Sequence, residues 1–124
     1  MIRSYKDLIV YQKAYKLALE VYKVTDNYPN EEKYGLVSQM RRCAVSIPSN
    51  IAEGYRRNHI KEYIQFLHIS FGSCSELETL LSLSKDLGYI DDSFYLELYD
   101  NQEDVSKLLR GLIRSLSKPK KKED

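Results

Sequence analysis

Residues 40–57, MRRCAVSIPSNIAEGYRR, decide how this chain folds. Wound at about 100° per residue, they put Met40, Ala44, Ile47, Ile51 and Tyr55 on one side, in steps of four, three, four and four. That is the stripe of a helix packed into a core. Gln39, Arg42, Ser46, Ser49 and Glu53 fall on the opposite side, with Asn50 and Arg57 at its edge. The second face is therefore polar without being merely charged. Pro48 has no N–H, so the Ala44 carbonyl loses its helical partner and the helix should kink there. The apolar stripe keeps its phase across the proline, which predicts a kinked but continuous helix. Ser49 and Asn50 are the nearest groups able to satisfy the freed carbonyl. Gly54 either admits a neighbouring backbone or begins to end the helix.

Working outward, the second helix is expected over 31–57, with Asn30 as its cap and Glu31 and Glu32 in its first turn. Upstream, Ser4 can cap a first helix over 4–28, with Asp7 in its first turn. Val10, Ala14, Leu17, Val21 and Val24 form its core stripe, and Tyr11, Tyr15, Ala18 and Tyr22 form a second stripe beside it. Together they span roughly 200°, about twice what one bundle contact needs. Tyrosine suits interfaces, so the extra stripe is either a border of the core or a contact with another subunit. Pro29 ends this helix near Tyr28.

Downstream, Asn58 breaks the chain and can cap a third helix over 60–87. Its core positions are Tyr63, Phe66, Leu67, Ser70, Cys74, Leu77, Leu81 and Ser84, a near-heptad spacing that implies shallow crossing. The small run Gly72–Ser75 would admit a close neighbour, and Gly88 is a C-cap. Asp91 or Asp92 caps a fourth helix over 92–116, with Phe94, Leu98, Val105, Leu109, Leu112 and Leu116 on its buried side. Residues 86–104 carry seven acids and no base, whereas residues 107–122 carry only bases; that order complements the helix dipole. Short loops make consecutive helices antiparallel neighbours. The fold class expected is all-α, an up-down antiparallel four-helix bundle with a proline-kinked second helix. It forms a single domain over 1–117, followed by a flexible charged tail over 118–124.

The chain's 124 residues suit one domain. Its 19 basic and 18 acidic residues leave +1, which argues against a duplex binder with a strongly basic face but permits a local patch. Cys43 and Cys74 read as small buried apolar residues, not a disulfide or a metal motif. His59 and His68 share no carboxylate spacing, so no metal ligand is assigned. No phosphate-binding or dinucleotide motif is present, so no cofactor and no small-molecule substrate are inferred. No catalytic residue is assigned. Glu53 and Arg57, four apart, form a helix-surface ion pair. The N-terminus lacks a signal peptide's apolar segment and no run approaches the ~18 apolar residues of a membrane span. A cytoplasmic protein with no membrane partner is expected.

The run SIPSNIAEG, Ser46–Gly54, resembles the signature of small four-helix-bundle proteins encoded in intervening sequences of bacterial large-subunit ribosomal RNA genes. The segments YPNEEKYGLVSQM, Tyr28–Met40, and SYKDLIVYQKAYKLA, Ser4–Ala18, fit as well, so the resemblance covers about residues 4–117. The accessory proteins of diversity-generating retroelements are similar. The resemblance implies an up-down bundle that assembles as a ring, a homopentamer, and it implies a link to RNA. It carries over no catalytic residues. Cys43 departs from the alanine usual in the family.

Candidate nucleic-acid contacts are Arg41, Arg42, Arg56, Arg57 and Lys61, which against Glu53 give +4 over residues 40–61. Such arginines, with Tyr55 and Tyr63 nearby, suit phosphates and bases; they equally suit the acidic fourth helix. Candidate oligomer contacts are Tyr11, Tyr15, Tyr22, Gln39, Ser46 and Asn50. The function expected is a non-enzymatic homo-oligomeric accessory factor that binds structured RNA. The alternative is a protein-binding scaffold of the same shape with no nucleic-acid role.

Overall fold

Pro48 does not break its helix. The computed structural model describes residues 1–119, and in it one α-helix, α2, runs through Leu36–Tyr55 with Pro48 inside. The apolar stripe Met40, Ala44, Ile47 and Ile51 is completely buried, so tertiary packing supplies what the missing hydrogen bond forfeits. Asn50 Nδ2 donates to the Ser46 carbonyl at 2.8 Å, and Ser49 is exposed; the expected bonds from these two residues to Ala44 are not formed. The helix is instead tied to its neighbour. Ser70 Oγ donates to the Ile47 carbonyl at 2.9 Å, and Ser73 Oγ meets Ser46 Oγ at 2.9 Å.

The other helices are α1 (Ile9–Thr25), α3 (Ile60–Asp86) and α4 (Asp92–Ser117). Each packs antiparallel to the next, α1 also meets α4, and the bundle closes around one contiguous core. The described residues contain no strand. Every fully enclosed Leu or Ile in this core, such as Leu17, Ile47, Leu67, Leu77 and Leu109, contributes roughly 1.5–3 kcal/mol of burial.

Two helices start later than their sequences predict. Ser4 and Asp7 form a capping box, but it closes a 3-10 turn over Tyr5–Asp7. Leu8 is then extended, with ψ 128°, before α1 begins. Likewise Asn30–Glu32 is a 3-10 turn with no side-chain cap, and Gly35 leaves helical geometry at φ −108° and ψ −107°. Residues 31–34 bring no apolar group to the core, so nothing compensates for fixing that extra turn; Leu36 and Val37 are the first to be buried. His59, not Asn58, holds the N-cap position of α3, without a side-chain bond.

The end of α3 and the start of α4 follow their local signals. Gly88 adopts φ +80°, and the N–H groups of Tyr89 and Gly88 donate to the Ser84 and Lys85 carbonyls at 2.9 and 3.0 Å, a Schellman closure. Asp91 accepts from the Phe94 N–H at 2.8 Å. Phe94 itself corrects the expected core: it is 54% exposed, while Gln102 is buried in the layer between Leu98 and Val105. Ser106 Oγ donates to Gln102 Oε1 at 2.9 Å, which offsets the cost of enclosing the amide. In the small run Gly72–Ser75 it is Ser73 that α2 approaches, with the Cys43 thiol donating to its carbonyl at 2.8 Å; a Cβ at Gly72 would meet nothing. Another close approach is at Gly54, where a Cβ would lie 2.8 Å from Phe66 Cβ and 3.2 Å from the Tyr63 carbonyl oxygen. Of the expected tail, Lys118 and Pro119 follow α4; residues 120–124 lie outside the described residues.

Candidate functional site

The second apolar stripe of α1 enters the core only in part: Ala18 is buried and Tyr11 packs against the core, while Tyr15 and Tyr22 stay exposed. With the 3-10 turn it walls a groove against α2 of about 470 Å³, lined by Tyr5, Tyr11, Tyr15, Leu19 and Tyr22 on one side. Val45, Pro48, Ser49 and Ala52 line the other. These α2 side chains are too short to fill the space beside the tyrosines of α1, so the groove stays open. Tyr15 is 52% and Leu19 57% exposed, an unusual cost for residues of this size on one face. The rings are mutually ordered, with Tyr5 and Tyr11 edge-to-face at 4.9 Å and Tyr11 and Tyr15 at 6.1 Å. Partial burial, with Tyr5 and Tyr15 adjacent, raises the Tyr11 phenol pKa.

An arginine stands at each end of the groove. Arg41 lies 4.7 Å above the Tyr22 ring and Arg56 5.0 Å from the Tyr5 ring. They are 15 residues apart on one helix, or ~22 Å. The five candidate bases are thus split. Arg41 is committed to the C-terminus of α1: it donates to Thr25 Oγ1 at 2.9 Å, to Asp26 Oδ1 at 2.9 Å and to the Tyr22 carbonyl at 3.3 Å. Those are the groups a helix end offers a cation. Arg42 is exposed and pairs with no carboxylate among the described residues. Arg56, Arg57 and Lys61 share the opposite end, where Arg57 pairs with Glu53 and covers the Phe66 ring at 4.8 Å. Among the described residues none of the five pairs with the acids of residues 91–104.

The polar stripe of α2 divides as well. Ser46 and Asn50 are half-buried and bonded to each other at 3.0 Å, and Ser46 also holds Ser73. Gln39, Arg42 and Ser49 face solvent. Tyr5, Leu19, Val45 and Ala52 were not anticipated as groove residues; Val45, an apolar residue off the core stripe, was the available signal. A second cleft of about 360 Å³ lies between α1 and the start of α4, with Glu20, Lys23, Tyr89 and Phe94 among its walls. Exposed Phe94 forms part of its rim. Glu20 binds the Asn101 amide there, at 2.9 Å to Oε2. Among the described residues no group of three or more His, Cys, Asp or Glu side chains is placed to hold a metal ion, and no helix is long and apolar enough to cross a membrane.

This combination defines an antiparallel four-helix bundle whose distinctive surface is an aromatic interhelical groove bracketed by arginines. The chain belongs to the 23S rRNA-intervening sequence protein family, whose model matches residues 6–111. It is similar to a crystal structure described as a protein with unknown function from the S23 ribosomal protein family of Bacteroides thetaiotaomicron. The TM-score is 0.78 at 25% identity, over 86% of this chain and 99% of that one. No curated protein matches the chain.

Proposed function

We propose that this protein is a non-enzymatic, homo-oligomeric accessory factor that binds structured RNA, assembled as a ring through the α1–α2 groove. The observation that carries the assembly is the groove itself: Tyr15, Leu19, Tyr22 and Val45 are all left exposed on one face. A second copy of the chain is the occupant this reading assigns. The resemblance drawn from Ser46–Gly54 supports five copies in the ring. Tyrosines line one wall and arginines stand at both ends, and these residue types dominate productive interfaces. The RNA role is supported by Arg56, Arg57 and Lys61, which no acid of α4 neutralises within the chain. Five repeats of such a cluster around one axis would focus a potential that a chain of net +1 does not suggest.

Two measurements test this reading. Light scattering at micromolar concentration should give a multiple of the 14.5 kDa chain mass; a monomer mass refutes the ring. Titration of a structured RNA at low salt should show binding without strong sequence preference, weakened for all sequences alike by Arg56→Ala with Arg57→Ala. A ring that binds no RNA leaves the scaffold reading, which the near-neutral charge and the commitment of Arg41 to Asp26 favour.

A further inference from the structure

Bases that are far apart in sequence meet at one end of the bundle. The contact of Ser82 Oγ with Tyr95 Oη at 3.4 Å sets the register between α3 and α4. Followed antiparallel from there, Arg110 comes level with Leu67 and Arg114 with Tyr63. The packing of Gly54 on Phe66 and Tyr63 brings Arg56 and Arg57 to the same level, beside Lys61. The stack of Arg56 on Tyr5 brings Lys6 there too. The 3-10 turn ahead of α1 and the ends of the other three helices therefore each deliver a base to one end of the bundle. Residues 1–8, 53–63 and 110–119 hold eight Lys and Arg against three Asp and Glu, a net +5. At the opposite end, residues 23–42 and 85–97 hold five against seven, a net −2. The bundle is electrically polarised although the chain is nearly neutral.

Resting on the RNA reading above, we infer that the phosphates of a structured RNA sit on this basic end and that Arg110 and Arg114 of α4 belong to the site. Both arginines are exposed and form no ion pair among the described residues. Aromatic rings accompany the charge here. Arg56 and Arg57 lie over Tyr5 and Phe66, and Tyr55 meets Tyr63 edge-on at 6.2 Å. The stacked guanidinium of Arg56 keeps its N–H edges free for phosphate, and half-exposed rings such as Tyr55 and Tyr63 offer faces to unpaired bases. An acidic protein would use the charge but leave the rings idle, so RNA fits the end better.

The test is binding of an RNA hairpin to the intact protein over a series of salt concentrations. Arg110→Ala with Arg114→Ala should weaken binding about tenfold or more at low salt. It should flatten the log–log salt slope by about 2 per subunit contacted. Arg110→Lys with Arg114→Lys should keep the slope, which separates charge from any change in folding. Lys23→Ala with Lys33→Ala removes two charges from the opposite end and should leave affinity and slope unchanged. If wild type binds the hairpin and both alanine pairs weaken it equally, the placement is overturned while the RNA reading stands. If wild type does not bind, the RNA reading itself fails. If poly-glutamate displaces the hairpin as well as unlabelled RNA does, an acidic protein is the better ligand and the inference is overturned.

Discussion

Replacing Gly54 with alanine sets two effects of known sign against each other. Alanine favours a helix over glycine by up to ~1 kcal/mol. The new Cβ would sit 2.8 Å from Phe66 Cβ and 3.0 Å from Tyr63 Cδ1. Phe66 Cβ is fixed to the α3 backbone, so no rotamer change relieves the clash; α2 and α3 must separate by several tenths of an ångström. Overpacking of this kind costs ~1–3 kcal/mol, and the Ser46–Ser73 and Ile47–Ser70 bonds would lengthen with it. Gly72 and Gly111 supply internal controls, because a Cβ at either meets nothing. Gly72→Ala and Gly111→Ala should each stabilise by up to ~1 kcal/mol. The propensity gain is common to both, so Gly54→Ala should fall ~1–3 kcal/mol below Gly72→Ala. Urea unfolding followed by circular dichroism, at one fixed protein concentration because assembly couples to folding, measures the gap. A Gly54→Ala protein as stable as Gly72→Ala would refute close packing at this site.

Other expectations are checked separately. Tyr15→Glu places a charge in the groove and should shift light-scattering mass toward the monomer while far-ultraviolet dichroism stays helical; equal loss of both would put Tyr15 in the fold instead. Asp91→Ala removes the cap on the Phe94 N–H and should cost ~1 kcal/mol, with no change in assembly. Burial pushes the Cys43 thiol up to about 12 and Cys74 to about 11, so both should resist a thiol reagent at pH 8 until urea unfolds the chain. A folded pKa above the unfolded value of 9.0 means the native state holds its protons longer. Stability is then full below pH 9 and falls above it, by up to ~1.4 kcal/mol per pH unit for each thiol. The phenols of Tyr28 and Tyr63, raised by burial from 10.0, act in the same direction. Stability that rises between pH 9 and 11 would contradict this.

Much of the fold was legible locally. The stripe Met40–Ile51, the closure at Gly88 and the cap at Asp91 each depend on residues within a few positions of one another, and each appears as written. The run Ser46–Gly54 likewise marked the family. The site was legible only in part. Tyr11, Tyr15 and Tyr22 announced themselves as more apolar surface than one contact needs, but the groove requires the short side chains of α2 opposite them. Arg41 looked like a member of the basic cluster until the C-terminus of α1, with Asp26 and Thr25, arrived beside it.

What the sequence determined by itself is therefore the helical period and most of the chain punctuation, because those follow from local sterics and from which face is apolar. Tertiary structure decided the start of α2, since nothing in residues 31–34 had a core to enter. It decided that Gln102 is inside and Phe94 outside, because burial depends on what the facing helices present. It decided between the two roles open to Gly54, packing it against Phe66 and Tyr63 of α3. Above all it gathered Lys6, Arg56, Lys61 and Arg114 at one end. Charge acts through distance in space, and only the antiparallel return of each helix turns separations of fifty residues into neighbours.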